Sequence, residues 1–195
     1  MFCRTSIVRG LAGALGLAAA CGAQAACFDL PGSAACRWAA AGGGAWHVHM
    51  GGASIHSSET KAPGREWNER HEGVGAELRR KGLPWRDADP LESWQTRYAF
   101  GTFVDSRNIP SYYTGTVVAH ELARMGGLRL DGGAGAFLFY RSASWSGRMQ
   151  LAPAVLPVLS MTDSQGGVGL NLIWRPPGFD GPATIFLQIT RPLGR

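Results

Sequence analysis

Trp94-Gln95-Thr96-Arg97-Tyr98-Ala99-Phe100-Gly101-Thr102-Phe103-Val104 is the stretch on which the fold turns. Trp94, Thr96, Tyr98, Phe100, Thr102 and Val104 recur at every second position, with Gln95, Arg97, Ala99, Gly101 and Phe103 between them. A period of two belongs to a strand, whose successive side chains leave opposite faces. One face here is large and mostly apolar; the other is small or polar.

The pattern recurs on both sides. Strand-like segments run from Trp46 to His56, roughly Gly73 to Lys81, Tyr112 to Leu122, Leu128 to Tyr140, Met149 to Ser160, Val168 to Trp174 and Ala183 to Arg191. In the fifth, Leu128, Leu130, Ala134, Ala136, Leu138 and Tyr140 oppose Arg129, Asp131, Gly133 and Gly135. In the eighth, Ala183, Ile185, Leu187 and Ile189 oppose Thr184, Phe186, Gln188 and Thr190. Turn residues bound each segment. With 28 glycines and only 17% charged residues, the composition suits strands and turns rather than helices.

Eight such segments predict an all-β fold, an eight-stranded antiparallel up-and-down β-barrel. Several have about the ten residues that a tilted membrane-crossing strand needs, and the apolar/polar split fits lipid outside and a packed polar lumen within. Trp46, Trp94, Tyr140 and Trp174, near strand ends, suit interfacial girdles. The expected barrel is therefore of the outer-membrane type. Alternation has no sign, however. A soluble barrel or sandwich, such as a periplasmic lipocalin-like binder, alternates equally well with its apolar face inward.

The N-terminus predicts export. Arg4 and Arg9 precede an apolar stretch from Gly10 to Gly22, and Ala23-Gln24-Ala25 carries small residues where a signal peptidase reads. Residues 1–25 are read as a signal peptide, 26–45 as an N-terminal segment and 46–195 as the barrel. Leu17-Ala18-Ala19-Ala20-Cys21 is an alternative lipoprotein-like processing site. Cys27 and Cys36 remain after cleavage and suit one disulfide in an oxidising compartment. The expected location is the outer membrane, with the periplasm as alternative.

The net charge of +5 is scattered through the segments between strands. It predicts no nucleic-acid partner, but a basic rim suits anionic lipid headgroups. No metal or cofactor motif is present, and a monomer is expected. Pro153 and Pro157 interrupt the sixth segment. Proline cannot donate to a ladder, so strand pairing must break there. In a closed wall such a break is a lateral gap; in an open sheet it is an edge.

Three regions carry residues suited to chemistry: Ser54-Ile55-His56 followed by Trp67-Asn68-Glu69-Arg70 and Gly73-Val74-Gly75; Phe103-Val104-Asp105-Ser106-Arg107-Asn108 leading to Tyr112-Tyr113-Thr114-Gly115; and Pro153-Ala154-Val155-Leu156-Pro157 with Trp174-Arg175-Pro176-Pro177-Gly178. In these motifs and their order, from Ser54 to Gly178, the chain resembles the lipid A palmitoyltransferase family (PagP). The resemblance implies an eight-stranded outer-membrane barrel that moves a palmitoyl chain from a glycerophospholipid donor to lipid A of lipopolysaccharide. It places an essential His, Asp and Ser on His56, Asp105 and Ser106. His47 or His49 is the reserve for the histidine. Such a trio suits an ester carbonyl, with imidazole as base and a serine hydroxyl as nucleophile or donor. Adjacent Asp105 and Ser106 share a site only if they lie in a turn after the third strand. Asn68, Glu69, Tyr112, Tyr113, Val117, Pro153 and Pro157 are the expected substrate-binding residues. The resemblance implies that Val117, standing where the family has a small residue, shortens the accepted acyl chain. Two other activities fit the same residues or frame: a lipid esterase, with water as acceptor, and a small barrel without catalysis.

Overall fold

A computed structural model of the chain describes residues 44–57, 66–85, 93–142, 147–163, 167–177 and 182–193. The signal segment, Cys21, Cys27 and Cys36 lie outside these residues.

Eight strands follow in order: β1 (Ala45–His56), β2 (Arg70–Lys81), β3 (Trp94–Val104), β4 (Pro110–Met125), β5 (Leu128–Ser142), β6 (Met149–Asp163), β7 (Gly169–Arg175) and β8 (Thr184–Pro192). Each pairs antiparallel with its neighbour, and β1 closes on β8, so the sheet is a closed barrel. β4 and β6 outrun the apolar alternation that reveals them. β4 continues to Met125, which faces Leu128 across a hairpin with Gly126 at φ 55, a conformation glycine adopts without steric cost.

Which face is inside is now decided. Arg97 is 1% exposed and Glu77 2%, whereas Leu151 is 64% and Val155 73% exposed. The exterior is apolar and the interior polar, the reverse of a soluble barrel. Leaving this apolar surface in water costs about 25 cal/mol per Å², a penalty removed when the exterior meets hydrocarbon. The chain is an outer-membrane β-barrel.

The interior is layered along the barrel axis. At the end that holds Ala45 and Pro192 it is filled by charge. Arg97 donates to Asp131 (2.9 Å) and Ser160 (2.6 Å). Arg79 pairs with Glu77 and donates to Thr190 (3.0 Å). Arg129 donates to the second oxygen of Asp131 at 2.7 Å. Above this plug lies an apolar layer of Val117, Phe137, Leu156 and Val158. Glycine makes room there: a Cβ on Gly101 would come within 2.8 Å of the Tyr113 ring.

The prolines act as expected on one side only. β6 pairs with β5 over its whole length, through Pro153↔Leu138 and Pro157↔Ala134. It pairs with β7 only from Val158↔Ile173 to Thr162↔Gly169. Pro153 and Pro157 have the same strand parity, so both missing N–H groups fall toward one neighbour. That neighbour is β7, and the wall is unzipped beside the half of the barrel opposite the termini.

Candidate active site

Two local irregularities build the site. The first is a bulge in β1. Met50 faces Val74 and Ile189, and Ala53 faces Arg70 and Leu187, but Gly51 has no register partner on either neighbour. Gly51 has φ 50, outside the range β-branched or bulky residues accept. The extra residue reverses the inward parity of the strand. Below the bulge His47 and His49 point inward; above it Ser54 and His56 do, and Ile55 is 59% exposed on the outside.

The second is the turn after β3. Asp105 Oδ1 accepts the backbone N–H of Arg107 (2.8 Å) and of Ile109 (3.0 Å), and Asp105 N–H donates to Ile109 O at 2.9 Å. Asn108 takes φ 61 in the same turn, a conformation Asn tolerates better than most residues. With β3 ended at Val104, Asp105 and Ser106 can both line the lumen, and they do.

Bulge and turn bring His56 and Ser106 together: Nε2 and Oγ are 3.0 Å apart. Trp67 stacks on the imidazole with ring centroids 5.0 Å apart and planes 13° from parallel. His56 Nδ1 has no hydrogen-bond partner among the described residues. Asp105 does not supply one, because Oδ1 is held by turn amides. In this geometry Asp105 shapes the turn that presents Ser106.

Asn68 ties the first loop to that turn. Its backbone N–H donates to Ser106 O (2.9 Å), its side-chain amide donates to Asp105 O (3.2 Å), and its Oδ1 accepts Arg70 N–H (3.1 Å). Glu69 is exposed beside it, and its carbonyl accepts Ser54 N–H at 2.9 Å. His47 and His49 are not at the mouth. His49 sits in the interior between Tyr113 Oη (2.7 Å) and Glu77 (3.1 Å), and His47 is buried on the same side of the bulge. Sequence reasoning missed His71. Its Nδ1 donates to Val104 O (2.6 Å) and its Nε2 lies 2.7 Å from Ser54 Oγ. Its signal was its place just after Asn68-Glu69-Arg70.

One cavity of about 140 Å³ connects these groups, roughly ten times the space one water needs. His56, Ser106, Arg107, Arg141 and Arg175 surround its mouth, Phe103, Phe139 and Phe186 its walls, and Glu77 and Arg97 its floor. Tyr113 and Val117 line it as expected. Tyr112 does not: one residue from Tyr113, it faces outward and stacks on Tyr140 at 6.4 Å. Pro153 and Pro157 are exposed on the outer face at the β6–β7 gap, and Leu156 beside them lines the cavity.

No protein-family profile matches the chain, and no curated protein matches it. Among solved structures it is similar to the outer membrane protein Ail of Yersinia pestis in a phospholipid bilayer nanodisc, at 10% identity and a TM-score of 0.39, covering 77% of this chain and 99% of that one. It is also similar to Ail, the attachment invasion locus protein of Yersinia pestis, in complex with the heparin analogue sucrose octasulfate, at 11% identity and a TM-score of 0.37, covering 77% and 97%. These likenesses concern the barrel alone.

Proposed function

We propose that this barrel is an outer-membrane acyltransferase that moves a fatty acyl chain from a glycerophospholipid to lipid A. The observation that carries this reading is the His56–Ser106 pair, 3.0 Å apart, at the mouth of an apolar cavity inside a lipid-facing barrel. An acyl chain fits the walls, its ester lies at the mouth, and Arg107, Arg141 and Arg175 suit the phosphate groups of donor and acceptor. His56 Nε2 takes the proton of Ser106 Oγ as the hydroxyl attacks the ester carbonyl, then returns it to the departing lyso-lipid oxygen. A lipid A hydroxyl releases the acyl group from Ser106 by the reverse sequence. The β6–β7 gap opens beside Leu156 and Ile173 and supplies a route from the hydrocarbon layer to the cavity.

Val117, 4% exposed and packed on Phe137, fills the deep end of the apolar layer. It favours a chain shorter than palmitate. The resemblance of the Ser54–Gly178 motifs to the lipid A palmitoyltransferase family supports the same reading. The test is mass spectrometry of lipid A from cells with and without the chain. A single added acyl group, lost in Ser106→Ala, is the expected result. Unchanged lipid A with release of free fatty acid points instead to an esterase of the same site.

A further inference from the structure

The cavity holds a second serine–histidine pair that the reaction above does not use. Ser54 and His71 are each 3% exposed, and both line the cavity. Val104 O accepts from His71 Nδ1 at 2.6 Å. A carbonyl can only accept, so Nδ1 carries a proton, and in the neutral imidazole Nε2 presents a lone pair. Ser54 Oγ, 2.7 Å from Nε2, then donates its proton to it. This is the arrangement that readies a serine for attack: hydroxyl on base, and base oriented by a third group. Here a backbone carbonyl stands where a carboxylate often does. In this respect the pair is more complete than His56–Ser106, whose outer nitrogen has no partner among the described residues. Phe103 and Phe186 flank the imidazole, with ring centroids 6.1 and 5.2 Å away, so the dyad sits in the phenylalanine-lined wall of the cavity. Gly51, which has no register partner, lies on the same strand as Ser54 and lines the same cavity.

We propose that Ser54 and His71 form a second ester-cleaving centre, deeper than the mouth, whose substrate is a fatty acyl ester reaching down the cavity. Ser54 Oγ attacks the carbonyl carbon and its proton passes to His71 Nε2. The ester C–O bond breaks, and the departing alcohol oxygen takes that proton. Water then attacks the Ser54 ester with His71 again as base, releasing the fatty acid and restoring the serine. The activity is hydrolysis and is independent of transfer at Ser106.

A purely structural role is the competing account, because His71 also bridges β2 to β3 just above Gly73↔Phe103, where their pairing ends. Covalent labelling separates the two. The protein folded in detergent is treated with an alkyl fluorophosphonate, which loses fluoride to a reactive serine, and the adduct is located by tandem mass spectrometry. The adduct is expected on Ser54 in the wild type and in Ser106→Ala and His56→Ala. It is absent in Ser54→Ala, and His71→Gln, whose amide still donates to Val104 O, slows its formation by about a hundredfold. Heat-modifiable migration reports that each variant is folded. Absence of any Ser54 adduct from folded wild type, or equal labelling rates in folded His71→Gln, overturns the proposal. Failure of acyl transfer to lipid A with Ser54 labelling intact counts against the transferase reading and leaves this centre standing.

Discussion

The two halves of the lumen are built on opposite principles. In the half near the termini, Arg97, Asp131, Arg79 and Glu77 are buried and bonded to one another and to Ser160, Thr162 and Thr190. In the half toward the mouth the walls are phenylalanine, and His56 Nδ1 has no partner among the described residues. A buried charge is tolerated when its partners are fully supplied, and removing one partner strands the other. The charged half therefore closes the barrel, and the phenylalanine-walled half leaves the cavity open. The bulge at Gly51 is the boundary on β1, separating His47 and His49 from Ser54 and His56.

If the plug closes the barrel, its residues govern stability and those of the mouth govern rate. Arg97→Ala removes one of the two arginine partners of Asp131, leaving Arg129, and is expected to destabilise the folded barrel by about 3 kcal/mol, read from urea unfolding in detergent; a loss below about 1 kcal/mol would mean the network contributes little. His56→Ala is the converse. Lipid A acylation should fall by roughly 10²-fold or more while the unfolding midpoint stays near that of the wild type. A retained rate would remove His56 from the mechanism. Closing the lateral gap should have a smaller effect. In Pro157→Val, which extends the Val158↔Ile173 register toward Trp174, a restored N–H can pair with β7, and a several-fold slowing of acylation is expected if lipid enters there. Val117→Gly deepens the apolar end and is expected to lengthen the preferred acyl chain, seen as a mass shift on lipid A with little change in rate. Tyr112→Phe, on the outer face against Tyr140, should leave the rate within about twofold, as expected for a residue outside the cavity.

Part of the site was legible from residue order. The third strand ends at Val104, so Asp105 and Ser106 fall in a turn and share a face, as the alternation required. Tyr112 and Tyr113 are neighbours on one strand, and alternation already separates them; only Tyr113 reaches the lumen. His56, unlike His47 and His49, reaches the mouth because the inward parity of β1 changes at Gly51. No local pattern announces that change, because Gly51-Gly52 reads equally well as continuous strand. His71 was invisible because its partners, Ser54 and Val104, come from two other strands.

What the sequence determined by itself was the number of strands, their antiparallel order and the place where pairing fails. Period-two alternation, turn residues and the missing N–H of proline are local properties of the chain. The inside of the barrel was settled only by closure. Alternation is symmetric between its two faces, and it is the pairing of β1 with β8 that encloses Arg97 and Glu77 and leaves Leu151 and Val155 to the lipid. The serine–histidine pairs needed the tertiary structure too, since His56 with Ser106 joins β1 to the turn after β3, and Ser54 with His71 joins the paired strands β1 and β2.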